Sequence, residues 1–396
     1  MFQMKRQLSA SVLALASAVM LGGFTAQADH RHDDRDDRGD RRPRKVFVIA
    51  MENHNWTQPS TTVSPQQIFM SPQAPFINSL VNGTSGISGQ VAYATHYINA
   101  GVGVHPSEPN YIWAEAGTNL GVFNDDQPYH VDFTPDTVQT TDQHLSAFLT
   151  KARRTWRSYQ EDTDVDLTTN VPLPRASWTV PLFNLSGQFT AGGLNAYNYA
   201  TQYNYAAKHN PMVYFTDTNG GCNTTTTNPL RTQYAPLQQL ALDLQSDSVA
   251  DYNLITPNQY NDQHTGLTNG YGGPVGAVNK GDRADVAQGD NFLARAVPLI
   301  MASRAYKEHG VIVLWWDESE DGDTPDFTLP FMIISKDAHE NVHGLPFASA
   351  TELSHSSTLR TMQEMFNVDP AAGFPWLGGA VSANDLSDLF KPGRIR

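Results

Sequence analysis

Val46-Phe47-Val48-Ile49-Ala50-Met51, followed at once by Glu52-Asn53, is the stretch that decides the fold. A strand with one wet face alternates polar and apolar residues. An unbroken apolar run is what a central parallel strand needs, because helices cover both of its faces. Comparable runs stand at Met212-Val213-Tyr214-Phe215, Tyr252-Asn253-Leu254-Ile255, Val311-Ile312-Val313-Leu314-Trp315-Trp316 and Phe331-Met332-Ile333-Ile334. Helical patterns lie between them, at Leu145 to Arg153, at Leu237 to Leu244 and at Asp290 to Tyr306. The last spaces Phe292, Leu293, Val297, Ile300 and Met301 for one buried face. Strands alternating with helices predict an α/β fold, a mainly parallel sheet flanked by helices. Thr163 to Ala200 and Thr218 to Gln233 break the pattern. Both are rich in Thr, Asn, Gly and Pro without a clear period, and read as long loop insertions over the active-site edge of the sheet.

The chain has 396 residues, enough for a large hydrophobic core. Residues 1–28 read as a signal peptide: Lys5 and Arg6 precede an apolar run from Leu8 to Phe24, and Ala26-Gln27-Ala28 gives a small-x-small cleavage site. That predicts an exported protein, periplasmic or secreted, with no stable membrane anchor. Residues 29–44 interleave Asp and Arg, cannot bury a core, and read as a disordered charged leader. Against 26 Lys+Arg stand 40 Asp+Glu, so nucleic acid has no electrostatic case as a partner. Cys222 is the single cysteine, which excludes an intramolecular disulfide and a cysteine-based zinc cluster.

Function in open α/β sheets gathers at the carboxyl edge. Glu52-Asn53 follows one buried strand and Asp317-Glu318 another, and carboxylates in such places repel one another unless a cation joins them. A divalent metal ion is therefore expected, its identity and number open; a salt bridge or a helix cap is the plainer alternative for either pair alone. In His105-Pro106-Ser107-Glu108-Pro109-Asn110-Tyr111 a hydroxyl precedes Pro109, a residue favoured in the first turn of a helix. A helix starting there points its free N–H groups and positive dipole end at whatever Ser107 attacks, which suits a phosphate. By default such a serine is only an N-cap. His105, His264 and His355 are candidates for contact with phosphate or leaving group. His96 and His209 are ambiguous, and His54 is more naturally structural than a ligand.

These segments, in order, resemble the phosphoesterase family of secreted acid phosphatases and bacterial phospholipases C, in the alkaline-phosphatase-like superfamily. The resemblance runs through Met51-Glu52-Asn53-His54, His105 to Tyr111, Trp156 to Asp162, Lys208-His209-Asn210-Pro211, Thr256-Pro257-Asn258, Gly289-Asp290, Trp316-Asp317-Glu318 and Ser354-His355-Ser356. It implies one phosphoesterase domain over residues 45–396 with an alkaline-phosphatase-like fold. By the same resemblance Glu52, Asn53, Asp317 and Glu318 would hold the metal, with Ser107 as ligand and nucleophile. Asn110 would donate to a phosphoryl oxygen, and His105, His264 and His355 would contact the phosphoryl group or serve the leaving group. The implied activity is hydrolysis of phosphate monoesters through a phosphoserine intermediate, on a small phosphate ester or a phospholipid headgroup. A phosphodiesterase of phospholipase C type is the first alternative, and a non-catalytic secreted binding protein the second. The sequence leaves the oligomeric state and the physiological substrate open.

Overall fold

The computed structural model describes residues 45–190, 192–273, 280–341 and 343–395; the expected signal peptide and charged leader lie outside the described residues. The strands are β1 (Lys45–Met51), β2 (Val91–Ala94), β3 (Trp156–Gln160), β4 (Leu185–Gln188), β5 (Gln202–Tyr205), β6 (Tyr234–Pro236), β7 (Tyr252–Thr256), β8 (Gly310–Trp316), β9 (Phe331–Ile334) and β10 (Phe347–Ser349). The α-helices are α1 (Pro75–Val81), α2 (Ser107–Ala116), α3 (Leu145–Lys151), α4 (Thr216–Asn219), α5 (Gln239–Gln245), α6 (Asp282–Ala302), α7 (Arg304–Lys307) and α8 (His355–Phe366). Eight strands make one sheet in the order β10-β2-β9-β8-β1-β7-β3-β6, while β4 and β5 pair as a separate antiparallel ribbon. Every pairing in the large sheet is parallel except those of β9 with β8 and β2.

Side-chain alternation explains why β1 sits centrally. Val46, Val48 and Ala50 point into one apolar layer, and Phe47, Ile49 and Met51 into the other. β8 does the same, with Val311, Val313 and Trp315 on the first side and Ile312, Leu314 and Trp316 on the second. The first layer is closed by α2 and α8 through Tyr111, Ile112, Leu359 and Met362. The second is closed by α1 and α6 through Ile77, Leu80, Phe292, Leu293, Val297 and Ile300. Among the described residues no helix is long and apolar enough to cross a membrane.

The expected α/β architecture is present, with one misread element. Met212 to Phe215 is not a strand: Pro211–Tyr214 forms a wholly buried 3-10 turn. Pro211 has no N–H to give a ladder. The carbonyls of the turn are taken instead by side chains, Thr218 Oγ1 on Met212 O at 2.6 Å and Asn219 Nδ2 on Val213 O at 2.7 Å. A short buried apolar run reads alike in either conformation. β3 escapes the apolar search for the opposite reason. It carries Arg157, Ser158 and Gln160 into the interior, where Ser158 Oγ donates to Asn210 Oδ1 at 2.9 Å and Gln160 Nε2 to Ser158 Oγ at 2.8 Å. α6 begins earlier than its large apolar residues indicate, with Asp282 and Asp285 in its first turn complementing the helix dipole.

The carboxyl ends of β1, β8, β3 and β7 are stitched to one another. Glu52 N–H donates to Asp262 O at 2.9 Å, Asp317 N–H to Met51 O at 3.2 Å and Glu161 N–H to Thr256 O at 3.1 Å. Gly289 lets α6 lie against this edge: a Cβ there would fall 2.2 Å from Gln263 Cγ and 2.7 Å from Met51 Cε. Phe47 is fully buried in the second layer. Phe47→Ala should cost about 3–5 kcal/mol in urea unfolding; a loss below about 1 kcal/mol would displace β1 from the centre of the core.

Candidate active site

Ser107 is the first residue of α2 and does not act as its cap; its hydroxyl turns to the carboxylates beyond β1 and β8. Oγ donates to Glu52 Oε2 at 2.9 Å and stands 3.4 Å from Glu318 Oε1 and 3.5 Å from Asn53 Oδ1. Asn53 holds a left-handed backbone at φ 37, which lets its N–H reach Asp317 Oδ1 at 3.1 Å. All of Glu52, Ser107, Asp317 and Glu318 are buried. Glu52, Asn53 and Glu318 are thus brought around the Ser107 hydroxyl, and Asp317 joins them through the Asn53 N–H.

The charges there are unbalanced. Burial, then the charges of Asp317 and Asp262, push the Glu52 carboxyl well above its usual range. Burial, then Glu318, push Asp317 up to about 8. The amide oxygen of Asn53 lies 2.8 Å from Glu52 Oε2 and 3.2 Å from Asp317 Oδ1, contacts between acceptors that a rotated amide, a protonated carboxyl or a cation relieves. This oxygen-only, acid-rich donor set fits a hard divalent cation. A second set shares Glu52: one donor atom each from Glu52, His209 and His264 lie within 4.8 Å of one another.

The histidines divide by position. His105 is half-exposed at the rim, with Nδ1 against Glu318 Oε2 and Nε2 against Asp323 Oδ1. Hydrogen bonding to Glu318 leads the causes that raise it to about 9. His264 Nε2 lies 3.1 Å from Lys208 Nζ, and burial followed by that ammonium push it down to about 4. His355 stands behind the cluster. Trp315 Nε1–H donates to its Nδ1 at 3.2 Å, so the ring proton sits on Nε2 and is given to the Asp317 carbonyl. His54 turns away, Nδ1 donating to Glu52 O at 3.0 Å. Asn110 gives its amide protons to Val104 O at 2.9 Å and Glu318 Oε2 at 3.1 Å, leaving Oδ1 buried without a partner.

Four further groups join the site: His209, which the sequence left ambiguous, and Tyr111, Lys208 and Asp262, to which it gave no catalytic or metal-binding role. Tyr111 OH donates to Glu52 Oε1 at 2.5 Å, and its ring stacks on His209. His209 stands between Glu52 Oε1 at 3.2 Å and Asp262 Oδ2 at 3.1 Å. Lys208 Nζ donates to Asp125 Oδ2 at 2.7 Å, and Asp125 Oδ1 accepts from the Glu108 N–H in the first turn of α2. The signal for Lys208 and His209 was adjacency in a Lys-His-Asn-Pro run between apolar segments. For Asp262 it was its place two residues before His264, whose N–H it accepts at 2.9 Å.

A family model described as the Phosphoesterase family matches residues 50–369. A phosphate-repressible acid phosphatase from Penicillium chrysogenum is 24% identical over 233 residues, 58% of this chain and 42% of that protein. A phosphatidylinositol-3-phosphatase from Mycobacterium tuberculosis is 24% identical over 345 residues, 87% of this chain and 82% of that protein. The aligned part thus spans less than half of the fungal relative and most of the mycobacterial one. Among solved structures, the lipoteichoic acid synthase of Listeria monocytogenes overlaps 87% of this chain and 77% of its own at 8% identity, with a TM-score of 0.47.

The raised carboxyls make stability depend on pH. Asp317 binds its proton more tightly folded than unfolded, so its contribution is complete below the ordinary aspartate value of 3.8 and is lost as pH rises through about 8. His264 and His355, held down to about 4, act oppositely: their contribution is present above 6.5 and lost as pH falls. Between about pH 6.5 and about pH 8 the raised carboxyls and His105, itself raised to about 9, act in the same direction, and chelated protein should lose melting temperature across that window. Added divalent cation should raise the melting temperature more at about pH 8 than at about pH 5, because protons no longer compete for the site. A response equal at both pH values in scanning fluorimetry would contradict a metal among these carboxylates.

Proposed function

The chain belongs to the phosphoesterase family, and from that premise we propose that it is an exported, metal-assisted phosphomonoesterase of acid-phosphatase type that works through a phosphoserine at Ser107. The observation that carries this reading is the Ser107 hydroxyl at the head of α2, within hydrogen-bond reach of Glu52 in a buried carboxylate cluster. A helix cap does not need that company. Export rests on the charged, apolar and small-residue pattern of residues 1–28.

In this reading Glu52, Asn53, Ser107, Asp317 and Glu318 hold the metal, which when bound supplies a Lewis acid that acidifies the serine and neutralises phosphoryl charge. Ser107 Oγ attacks phosphorus in line, and its proton leaves along the hydrogen bond to Glu52. The ester bond breaks as the alcohol takes a proton from His105, which the Glu318 and Asp323 carboxylates keep charged at the rim. Water then attacks the phosphoserine and gives one proton to His105, while Glu52 returns its proton to the departing Ser107 Oγ, so that phosphate is released and both groups are restored. The ammonium of Lys208 faces the equatorial oxygens, where charge accumulates. His264 accepts from Lys208 and aims it. His355 fixes Asp317 through its carbonyl, a positioning role in place of the phosphoryl contact the family resemblance implied.

Ser107→Ala should abolish turnover of p-nitrophenyl phosphate with an unchanged circular-dichroism spectrum and melting curve; activity near the wild-type level would end the assignment. Lys208→Gln should lower kcat/KM by about 10–100-fold, with partial recovery in Lys208→Arg. Equal activity in all three proteins would remove Lys208 from the chemistry.

A further inference from the structure

Asp125 touches two parts of the candidate site at once. Its Oδ2 accepts from Lys208 Nζ at 2.7 Å, and its Oδ1 accepts from the Glu108 N–H at 3.0 Å, one residue past Ser107 on α2. From this geometry we infer that Asp125 is a positioning residue: it fixes the ammonium of Lys208 relative to the Ser107 hydroxyl, so that the ammonium meets the phosphoryl group in the transition state. The inference rests on the phosphoesterase reading and adds to it the residue that sets this alignment.

A surface ion pair is the plainer account of Asp125, and such pairs contribute little. This one is not free to move as a surface pair is. The Lys208 side chain is 12% exposed and that of Asp125 31%. The loop bearing Asp125 is pinned at its next residue, where Asp126 O accepts from Tyr214 OH at 3.0 Å and from Thr137 Oγ1 at 3.3 Å. Lys208 lies in the turn Ala207–His209, which is pinned in its own way: the Ala207 N–H donates to Asn184 Oδ1 at 2.8 Å. The two oxygens of one carboxylate therefore join two anchored segments, and the second oxygen sits on the first turn of the helix that carries the nucleophile.

The valence of the ammonium makes the alignment specific. It has three protons to give and no acceptor. One goes to Asp125 Oδ2 and one to His264 Nε2 at 3.1 Å, on a ring that burial and the ammonium itself keep neutral. Among the described residues the third proton has no acceptor within hydrogen-bond distance. Two fixed bonds set the direction of the third, and the charges of Glu52 and Asp317 act on the same ammonium from the cluster. A lysine without such partners keeps the freedom of its long flexible stem and gives it up only as the phosphoryl group arrives. Asp125 and His264 remove that freedom beforehand, which is what alignment contributes to catalysis.

The test follows p-nitrophenyl phosphate hydrolysis in wild type, Asp125→Asn, Lys208→Gln and the double variant, with a melting curve for each. The asparagine keeps the shape of Asp125 but has one acceptor oxygen where two are needed. In Asp125→Asn kcat should fall about tenfold while KM stays within about twofold. The double variant should lie within about twofold of Lys208→Gln, because a residue that acts through Lys208 has no effect once the ammonium is gone. Orthovanadate, whose five-coordinate adduct imitates the transition state, should inhibit Asp125→Asn about tenfold more weakly, and inorganic phosphate should change by less than about twofold. Losses that multiply in the double variant would overturn the role and leave the phosphatase reading standing. An unchanged kcat with tighter phosphate inhibition would do the same, making Asp125 a competitor for the ammonium. If Asp125→Asn does not fold, Asp125→Ala carries the same comparison. Should wild type hydrolyse no ester, the phosphatase reading fails by itself, and calorimetry of orthovanadate binding decides Asp125 separately. Binding weakened in Asp125→Asn but not further in the double variant than in Lys208→Gln supports the role, and binding that is absent or unchanged overturns it.

Discussion

Four carboxylates, those of Glu52, Asp262, Asp317 and Glu318, are buried together at the carboxyl edge of the sheet with one ammonium, that of Lys208, beside them. Removing such groups from water costs several kcal/mol each unless charge or hydrogen bonds offset it. Much of the surrounding architecture answers that cost. Tyr111 and Asn110 donate from α2, the Asn53 N–H donates from a strained turn, and Lys208 brings positive charge within range. What these donors leave unanswered is negative charge that a divalent cation would balance. The helix that carries Ser107 is thereby fixed twice, by its apolar face against the sheet and by its first turn against the acids.

The fold was legible where physics is repetitive. β1, β8 and β9 announce themselves because strands covered on both faces are apolar at nearly every position, and β7 does so despite Asn253, whose amide is taken by Val46 O and Ala250 O. β3 does not, since its interior polar residues are satisfied by partners distant in sequence, such as Asn210 for Ser158. The turn at Pro211–Tyr214 misleads for the complementary reason: complete burial erases the period that separates helix from strand. Hydrogen bonds of long sequence separation leave no local trace.

The same distinction governs the site. Glu52-Asn53 and Asp317-Glu318 were readable because acids directly after buried strands are expensive and conspicuous. Ser107 was readable from Pro109 and the expected helix start. His209 was not separable from a structural histidine, because its meaning comes from Tyr111, Glu52 and Asp262, which lie on three other segments. His355 shows the reverse. A histidine opening a helix invites a role in chemistry, yet the Trp315 indole fixes its tautomer and turns its proton toward a main-chain carbonyl.

Glu161 accepts from Asn195 in the long Thr/Asn-rich insertion and from Asn258 and Asn261 in the segment after β7, so one carboxylate fastens two loops. A fastener of this kind divides the insertion into unequal parts. Before Asn195 the insertion is itself divided: Trp178, Val180 and Leu182 are buried in the core, while the exposed β4 can change length at little thermodynamic penalty, since loop-closure entropy grows only slowly with length. Past Asn195 that freedom ends. Change in the exposed ribbon can therefore accumulate while the spacing of the residues around the carboxylate cluster stays fixed.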